Sequence, residues 1–459
     1  MDRTLIPDSL FPVWEALDRL APTYLVGGAV RDLCRGVVPH DWDLATVLHP
    51  DEVQQWGHRA QYRVIPSGLD FGTVTIMTEL GPVEVTTFRR DGRYVDGRHP
   101  QTVTFSKNLE EDLGRRDFTM NAMALNIDGV LVDPFNGLRD LSHRRIAPVG
   151  DPRDRFTEDP LRMFRAVRFT GLADSSGDAL QLDPSIMDAI GRYKALIAQV
   201  SGERHQQELW KLLDTPHFAA ALRVLSTSGL LGVVWPEWVA TQGFDQKNPY
   251  HHYVLDEHLL QTAEHGPTPA LRLVGLLHDI AKPSVFWLDR SLVGHFYGHD
   301  DVGAKYVRNM LGRMAMAHDM IDWVAQLIQY HLFDWEGASD TAIRRLMRTV
   351  GVSVVQDLLS LRTMDIEGAG RTWSEAARVR ERVRRLSEDR STRGVRLALD
   401  GNDVMHLTGI ARGPQVGYYL RQLEDWVDQD PARNTFATLE RQLIQWTQKE
   451  VQGNVNDNE

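Results

Sequence analysis

Two aspartates stand two residues apart, close behind a glycine turn, near the start of this 459-residue chain. Asp41 and Asp43 fall in an extended stretch, where a spacing of two puts both side chains on one face. Two carboxylates on one face repel each other unless a cation lies between them, so we expect a divalent metal there. Gly27 and Gly28 follow an apolar run, and such a strand-to-helix turn lets backbone N–H groups approach an anion. The sequence therefore predicts that metal carboxylates and a phosphate cradle meet at one place.

The stretch from Tyr24 to Thr46 resembles the signature of class II nucleotidyltransferases, the family of tRNA CCA-adding enzymes and bacterial poly(A) polymerases. The residues that carry the resemblance are Gly27, Gly28, Arg31, Asp32, Asp41 and Asp43. The resemblance implies that Asp41 and Asp43 hold Mg²⁺, which activates the primer 3′-hydroxyl and stabilises the leaving pyrophosphate. It also implies that Gly27, Gly28 and Arg31 position the triphosphate. Glu84, in the strand pattern VEVTTF, is expected to lie beside the two aspartates as an auxiliary catalytic carboxylate.

A second motif, EEDLGRRDFTMNAMAL, spans residues 110–125. Arg115 and Arg116 supply guanidinium groups, which pair with phosphate oxygens in a bidentate way. The pattern predicts a helix on which Asp117 and Asn121, four residues apart, share a face. A carboxylate and an amide placed there would contact ribose hydroxyls and select ribonucleotides, and the match to the family motif favours that role.

A third motif, EDPLR, covers residues 158–162 at the start of a helix predicted after Pro160, a residue favoured in the first helical turn. Asp159, Arg162 and Arg165 recur at three-residue steps and can point together, with Arg168 one step further. An aspartate accepts from the exocyclic amine of cytosine or adenine, while an arginine donates to the adjacent ring nitrogen. Uracil and guanine would leave both protein groups unpaired, at about 1–3 kcal/mol each. The segment resembles the family's EDxxR template for selecting C and A.

Histidines become frequent from His251 onward, and His278 and Asp279 stand side by side at the end of a predicted apolar helix. Imidazole and carboxylate suit transition metals. The pattern resembles the HD superfamily of metal-dependent phosphohydrolases. The resemblance implies a metal site made of His258, His278, Asp279, His299, His331 and Asp365.

For that site the resemblance implies Ni, Mn or Co, or else Mg²⁺. Some bacterial CCA-adding enzymes carry such a domain behind the nucleotidyltransferase, with phosphatase and phosphodiesterase activity on 2′-phosphates and 2′,3′-cyclic phosphates. The alternative is a degenerate HD fold with a structural role only.

The elements that must position these residues change character along the chain. Strand patterns over 62–65, 72–77 and 83–88 join the two strands of the first motif in a mixed sheet, preceded by an amphipathic helix over 8–20. Helical periodicity dominates the remainder. We therefore predict an α+β head of the polymerase-beta-like nucleotidyltransferase type, followed by an all-α neck, body, HD domain and tail. The predicted boundaries are 1–145 for the head, 146–245 for the neck and body, 246–370 for the HD domain and 371–459 for the tail.

Residues 91–100, DGRYVDGRHP, are polar, charged and glycine-containing, which predicts a mobile loop. Family members that add a terminal A keep such a loop, whereas members that add only C tend to have it shortened. The complete loop therefore argues against a C-only enzyme.

Composition limits the partners and the compartment. The chain has 51 Lys and Arg against 63 Asp and Glu, a net charge of −12, so a polyanion must meet a local basic surface. The single cysteine, Cys34, excludes an intrachain disulfide and fits a reducing cytoplasm. No signal pattern opens the chain, and no apolar run approaches the roughly 20 residues of a membrane helix. We expect a soluble cytoplasmic protein, monomer or homodimer, with no membrane partner.

Together the motifs predict template-independent addition of CCA to the 3′ end of tRNA from CTP and ATP, with a second phosphohydrolase activity in the HD domain. Within the same class, the alternatives are an A-adding enzyme and a poly(A) polymerase. The sequence GLDFGTVTI stands where such polymerases tend to carry a basic strand motif, which weakens the second alternative. From other classes, the chain would be an HD phosphohydrolase with a degenerate head or a non-catalytic tRNA-binding module. The presence of Asp41 and Asp43 argues against both.

Overall fold

The fold is described from a computed structural model that covers residues 3–92, 102–248, 252–388 and 397–456. Most of the loop predicted over 91–100 lies outside the described residues, and so does His251.

Thirteen strands are present in the described residues, and seven of them build the sheet of the N-terminal part. Their bounds are β1 Thr23–Val26, β2 Trp42–Thr46, β3 Arg63–Gly68, β4 Thr73–Thr78, β5 Gly81–Thr87, β6 Arg89–Asp91, β7 Val103–Phe105, β8 Ala124–Leu125, β9 Leu131–Val132, β10 Arg145–Ile146, β11 Gln181–Leu182, β12 Trp287–Leu288 and β13 Gly294–His295. The order in the main sheet is β3-β4-β5-β2-β1-β8-β9. Only β2 and β5 run parallel, and the other neighbours are antiparallel. The predicted mixed sheet is confirmed.

Helices flank this sheet and make up most of the remaining chain. Their bounds are α1 Phe11–Asp18, α2 Gly28–Cys34, α3 Pro50–Arg59, α4 Leu109–Gly114, α5 Gly137–Ser142, α6 Pro152–Glu158, α7 Leu161–Phe169, α8 Pro184–Tyr193, α9 Gly202–Leu213, α10 Phe218–Thr227, α11 Leu230–Val234, α12 Pro236–Val239, α13 Leu255–Glu264, α14 Pro269–Leu277, α15 His299–Arg313, α16 His318–Tyr330, α17 Asp340–Val350, α18 Val352–Gly368, α19 Ala376–Glu388, α20 Gly401–Thr408, α21 Pro414–Gln429 and α22 Phe436–Asn456. The predicted α+β head followed by a helical remainder is confirmed.

Separate apolar cores hold these parts together. In the head, Trp14 of α1 is buried against the sheet and donates from Nε1 to the carbonyl of Thr23 at 2.9 Å. One continuous core runs from Phe118 to Leu386, so the neck, the body and the helices with the histidines pack as one unit. A smaller core joins α20, α21 and α22 around the buried Tyr419. The bounds predicted for the four domains stay a prediction.

The structure corrects several predicted elements. The helix predicted over 8–20 is a short 3-10 turn followed by α1 over Phe11–Asp18, since Pro12 occupies the second position of that helix. Strand β2 begins at Trp42, so Asp41 lies one residue before the strand instead of inside it. Across the described residues, no helix is long and apolar enough to cross a membrane.

Candidate nucleotide and metal sites

The turn between β1 and α2 depends on a glycine for two reasons. Gly27 has a φ of +71°, a backbone conformation that side chains disfavour. A Cβ atom on Gly27 would also lie 2.8 Å from Nη1 of Arg116 and 3.9 Å from a carboxylate oxygen of Asp43. The turn therefore brings the backbone, a guanidinium group and a carboxylate together in a space that no side chain can enter.

Strand pairing places the acidic residues side by side. Asp43 lies between Val26 of β1 and Glu84 of β5, in register with both. Burial and the carboxylates of Glu84 and Asp41 raise the pKa of Asp43 to about 6, although Arg116 opposes the shift. Three carboxylates whose charges disfavour one another in this way fit a divalent cation held by oxygen ligands.

The second motif is positioned by a turn and not by the predicted helix. Phe118 is extended, with φ −128° and ψ 149°, because it bridges to Pro148, and only a short 3-10 turn over Thr119–Asn121 follows. Asn121 nevertheless meets Asp117, since its amide donates to the Asp117 carboxylate at 2.9 Å. The prediction of a shared helix face was wrong, and a side-chain hydrogen bond brings the pair together instead.

The Asp117 carboxylate is largely used by protein partners. Besides Asn121, it accepts from the backbone N–H of Phe118 at 2.8 Å and from Nη2 of Arg165 at 2.6 Å. Burial alone would raise the pKa of Asp117, but Arg165 and Asn121 hold it well below its ordinary value. Asp117 therefore fits a residue that orients Asn121 and Arg165 better than one that itself contacts a ribose.

Three arginines surround one aromatic ring at the floor of the site. The guanidinium carbons of Arg31, Arg165 and Arg168 lie 5.1, 5.5 and 4.2 Å from the ring centre of Phe169. Arg31 donates to the side-chain oxygen of Asn121 at 2.9 Å, and Arg168 donates to the buried Glu208 at 2.6 Å. The result is a rigid cationic wall that can face phosphate groups.

The residues of the third motif have partners that differ from the predicted arrangement. Asp159 is extended at the end of α6, and its two oxygens accept from Nη1 and Nη2 of Arg204 at 3.1 and 2.7 Å. Arg162 in α7 donates to Glu158 at 2.6 Å. Arg204 and Glu208 of α9 are not among the residues that the motifs predict. Their spacing of four on one helix was a signal for a shared polar face.

Residues of all three motifs line one cavity of about 950 Å³. Its walls include every predicted nucleotide-binding residue and both aspartates of the first motif: Gly27, Gly28, Arg31, Asp41, Asp43, Arg116, Asp117, Asn121, Asp159, Arg162, Arg165 and Arg168. Arg204 and Lys211 also line it. Glu84 is exposed on the neighbouring strand and is not among the residues that line the cavity.

A second constellation lies between the helices of the continuous core. Two groups of side chains offer ligand atoms that lie within 4.8 Å of one another in the described residues: His258, His278 and Asp365 form one, and Asp279, His299 and His331 form the other. Asp279 joins them, because its carboxylate lies 3.2 Å from Nε2 of His278 and 3.0 Å from Nε2 of His299. The structure thus brings together all six predicted residues of this site.

Backbone carbonyls fix the imidazole rings. His278, His299 and His331 each donate from Nδ1 to the carbonyl three residues earlier, at 2.6–2.9 Å. This arrangement turns each Nε2 towards Asp279 as a metal-binding lone pair. Nε2 of His278 and Oδ1 of Asp279 are buried, and neither makes a hydrogen bond of good geometry with any other described residue. Such atoms fit a metal ion.

The pKa shifts of His278 and Asp279 also fit a metal ion at this place. Burial would lower the pKa of His278, but Asp279 and Asp365 raise it to about 10. Burial would raise the pKa of Asp279, yet His278 and Lys282 hold it well below its ordinary value. The carboxylates that stabilise a proton on the His278 ring would also stabilise a metal cation that replaces this proton.

Family models match three consecutive parts of the chain. Residues 23–147 match the poly A polymerase head domain, 179–241 match the probable RNA and SrmB-binding site of polymerase A, and 255–372 match the HD domain. The chain therefore carries a segment of the poly A polymerase head type and, further along, an HD domain. The predicted resemblance, with a fused HD domain, is confirmed.

The relatives of this chain include several CCA-adding enzymes. That of Levilactobacillus brevis is 41% identical over 220 residues, 48% of this chain and 53% of its own length. That of Geobacillus kaustophilus is 46% identical over 207 residues, 45% of this chain and 49% of its own length. The chain thus spans about half the length of the curated relatives that it matches.

Solved structures of CCA-adding enzymes align over nearly the whole chain. The CCA-adding enzyme of Bacillus stearothermophilus in complex with CTP is 25% identical, with a TM-score of 0.68, and the alignment covers 99% of this chain and 100% of that one. The CCA-adding enzyme of Thermotoga maritima complexed with tRNA is 18% identical, with a TM-score of 0.55 over 97% and 96% of the two chains. The second likeness shows the fold alone.

Proposed function

We propose that this chain adds C, C and A in turn to the 3′ end of tRNA, using CTP and ATP. The observation that carries the proposal is the single cavity in which the aspartates of the first motif, the arginine wall and Asp159 face one another. The CCA-adding enzymes among the relatives, and the one solved in complex with CTP, support the same reaction.

The roles of the residues follow from their positions. Asp41 and Asp43, with Glu84 beside them, would hold Mg²⁺, which when bound supplies charge stabilisation for the 3′-oxygen and the pyrophosphate. The primer 3′-hydroxyl gives its proton to solvent water as its oxygen forms a bond to the α-phosphorus, and the bond between that phosphorus and the bridging oxygen of the β-phosphate breaks. Arg31 and Arg116 hold the triphosphate, so that the leaving pyrophosphate remains in line with the attacking oxygen.

Asp159 and Arg162 remain the proposed readers of the base. Oδ1 of Asp159 accepts from Arg204 and from the backbone N–H of Leu161, whereas Oδ2 accepts from Arg204 alone, which leaves a lone pair on Oδ2 for the exocyclic amine of cytosine or adenine. Arg162 directs N–H groups at the protein acceptors Glu158 and the carbonyl of Arg115, and its five donors exceed these contacts. The pair therefore retains an acceptor and a donor for C or A.

Transfer to defined tRNA ends tests the proposal. A tRNA that ends at the discriminator base, in C or in CC is offered with each labelled NTP separately. We expect two additions from CTP followed by one from ATP. Addition of A alone to the CC end would indicate an A-adding enzyme, and long A tracts on any RNA would indicate a poly(A) polymerase. An Asp41→Ala variant that still transfers would overturn the metal assignment.

A second activity is favoured by the two ligand groups that Asp279 joins. We propose that they hold divalent ions, Ni, Mn, Co or Mg, in a phosphohydrolase that acts on 2′-phosphates and 2′,3′-cyclic phosphates. A bound metal would supply Lewis acidity towards water and phosphate oxygen. The water oxygen bonds to phosphorus while the bond from phosphorus to a ribose oxygen breaks, and that oxygen takes up a proton. Loss of hydrolysis in Asp279→Ala with transfer retained supports two separate sites, whereas equal loss of both contradicts it.

A further inference from the structure

A small hairpin lies between two of the proposed metal ligands, Asp279 and His299. Strands β12 and β13 form it, and Trp287 faces His295 across the pair. Neighbouring side chains point to opposite faces of such a ribbon. On one face Phe286 and Phe296 stack at 5.6 Å between ring centres, and Phe296 is buried. That face is the one that anchors the hairpin to the body.

The other face carries three stacked rings that the body does not cover. Trp287 and His295 stack with ring centres 4.7 Å apart and planes 24° apart, and His295 and Tyr297 stack at 5.5 Å and 17°. Trp287 is 47% exposed and Tyr297 is 74% exposed. Nε2 of His295 lies 2.9 Å from the Asp289 carboxylate, which fixes the central ring. Trp287 and Tyr297 thus each stack on His295, are tilted by 40° to each other and are both in contact with solvent.

The hairpin adjoins the metal centre through its anchored face and through the short segment that follows β13. Tyr297 precedes His299 by two residues, so their Cα atoms are at most about 7 Å apart. His299 donates from Nδ1 to the carbonyl of Phe296 at 2.7 Å. On its buried side, the Phe296 ring lies 5.2 Å from Nζ of Lys282, which pairs with Asp279 at 2.5 Å. One contact thus separates the hairpin from the centre of the proposed hydrolase.

We infer that the outer face of this hairpin, formed by Trp287, His295 and Tyr297, is a stacking platform for the terminal nucleobase of a single-stranded RNA 3′ end. The inference rests on the proposed phosphohydrolase function. The base stacks on the exposed rings while the phosphate on its ribose enters the centre around Asp279. The substrate class is therefore a nucleoside phosphate at an RNA end, and not a small phosphate ester without a base.

The chemistry of the face favours a base over other occupants. Aromatic rings stack on any nucleobase, and single-stranded RNA ends present their bases unstacked. Polar groups adjoin the rings, since Asp289 pairs with His295 and Arg290 follows Asp289 in the turn of the hairpin. Such a face offers hydrogen bonds to the edge of a base. A stable protein–protein interface would need a wider apolar surface than these few rings provide.

The test compares two substrates of the full-length protein with added Mn²⁺. One is cytidine 2′,3′-cyclic phosphate, and the other is the same ribose cyclic phosphate without the base. We expect the ratio of their kcat/KM values to fall about tenfold in Tyr297→Ala and in Trp287→Ala, since a stacked base contributes on that order. Tyr297→Phe keeps a ring and should keep the ratio. Leu292→Ala is the matched control, because Leu292 is an apolar side chain of the same turn, 71% exposed.

A second readout does not depend on turnover. A short RNA that ends in 4-thiouridine with a 2′,3′-cyclic phosphate is photo-crosslinked, and the adducts are mapped by mass spectrometry. Adducts within 287–297 support the platform, and their absence overturns it. If the wild-type protein hydrolyses neither substrate, the phosphohydrolase proposal fails and the crosslink map alone decides the platform. The protein could instead be a dimer that Tyr297→Ala dissociates into monomers, with an unchanged substrate ratio. That result would show that the face binds a second copy, and it would overturn the inference.

Discussion

Arg204 donates hydrogen bonds from its two terminal nitrogens to the two carboxylate oxygens of Asp159, at 3.1 and 2.7 Å. Arg204 belongs to α9, whereas Asp159 ends α6, so the contact crosses from one helix to another. Both side chains line the proposed nucleotide cavity. The orientation of the proposed base-reading carboxylate is thus decided by a residue 45 positions further along the chain.

Arg204→Gln tests whether this contact supports base selection. We expect the preference for CTP over UTP, as a ratio of kcat/KM values, to fall roughly tenfold or more, since a hydrogen bond between charged groups contributes about 1.5–3 kcal/mol. Single-nucleotide addition to tRNA measures the ratio. Arg192→Gln, at an exposed position of α8, is the control and should leave it unchanged. An Arg204→Gln enzyme with intact selectivity would show that Asp159 needs no such support.

Gly27→Ala should reduce the rate of nucleotide transfer more than it reduces the stability of the fold. Gly27 and Gly36 have nearly the same φ, +71° and +73°, so alanine at either position costs about 1 kcal/mol or more of backbone strain. Only at Gly27 does the new Cβ meet Arg116, because nothing lies within 4 Å of a Cβ on Gly36. We expect similar losses of Tm in both variants and a loss of transfer of at least about tenfold in Gly27→Ala alone. Equal transfer rates would contradict the proposed cradle.

Glu84→Gln tests the third carboxylate. Because Glu84 lies in register with Asp43 and raises its pKa, its removal should weaken Mg²⁺ binding about tenfold, the size typical of residues that support metal ligands. The Mg²⁺ concentration that gives half-maximal transfer measures the effect. Glu79→Gln, in the exposed turn between β4 and β5, serves for comparison. No difference between the two variants would mean that Glu84 is an ordinary surface residue.

Metal content separates the two ligand groups that Asp279 joins. After loading with Mn²⁺ and dialysis, Asp365→Asn should lose the ion held with His258 and His278 but keep the other. Asp279→Asn should lose both, because its carboxylate faces both groups. His265→Gln, a half-exposed histidine paired with Glu367, is the control for nonspecific losses. Elemental analysis that finds the same metal content in all three variants would contradict the site.

The free energy of unfolding should decrease in acid because His205 is buried in its neutral form. Burial lowers the pKa of His205 from 6.5 to about 4, so between these pH values the unfolded chain binds a proton that the folded chain does not. The free energy of unfolding therefore decreases as pH falls from 6.5 to 4, by about 3 kcal/mol at most from this residue. His205→Phe, beside Phe164, should flatten that dependence in urea titrations at several pH values. A curve parallel to that of the wild type would exclude this contribution.

Motif spacing was enough to predict the class of the fold and most of the residues that the structure brings together, although Arg204 and Glu208 were missed and Glu84 does not line the cavity. The first motif works within one strand-turn-helix stretch, where local backbone geometry follows from Gly27 and from alternation along a strand. Likewise, His278 and Asp279 adjoin in sequence, so their proximity required no tertiary structure. These features are local, and local sequence specifies them.

Partners across long separations could not be deduced in this way. The bonds from Arg204 to Asp159, from Arg165 to Asp117 and from Arg168 to Glu208 span 40–48 residues and depend on how α7 and α9 pack. The extended conformation of Phe118, which replaced the predicted helix, comes from its bridge to Pro148. By itself, the sequence determined which side chains are present and how each local segment folds. Only the tertiary structure decided which charges neutralise one another, because packing brings together groups that the chain keeps far apart.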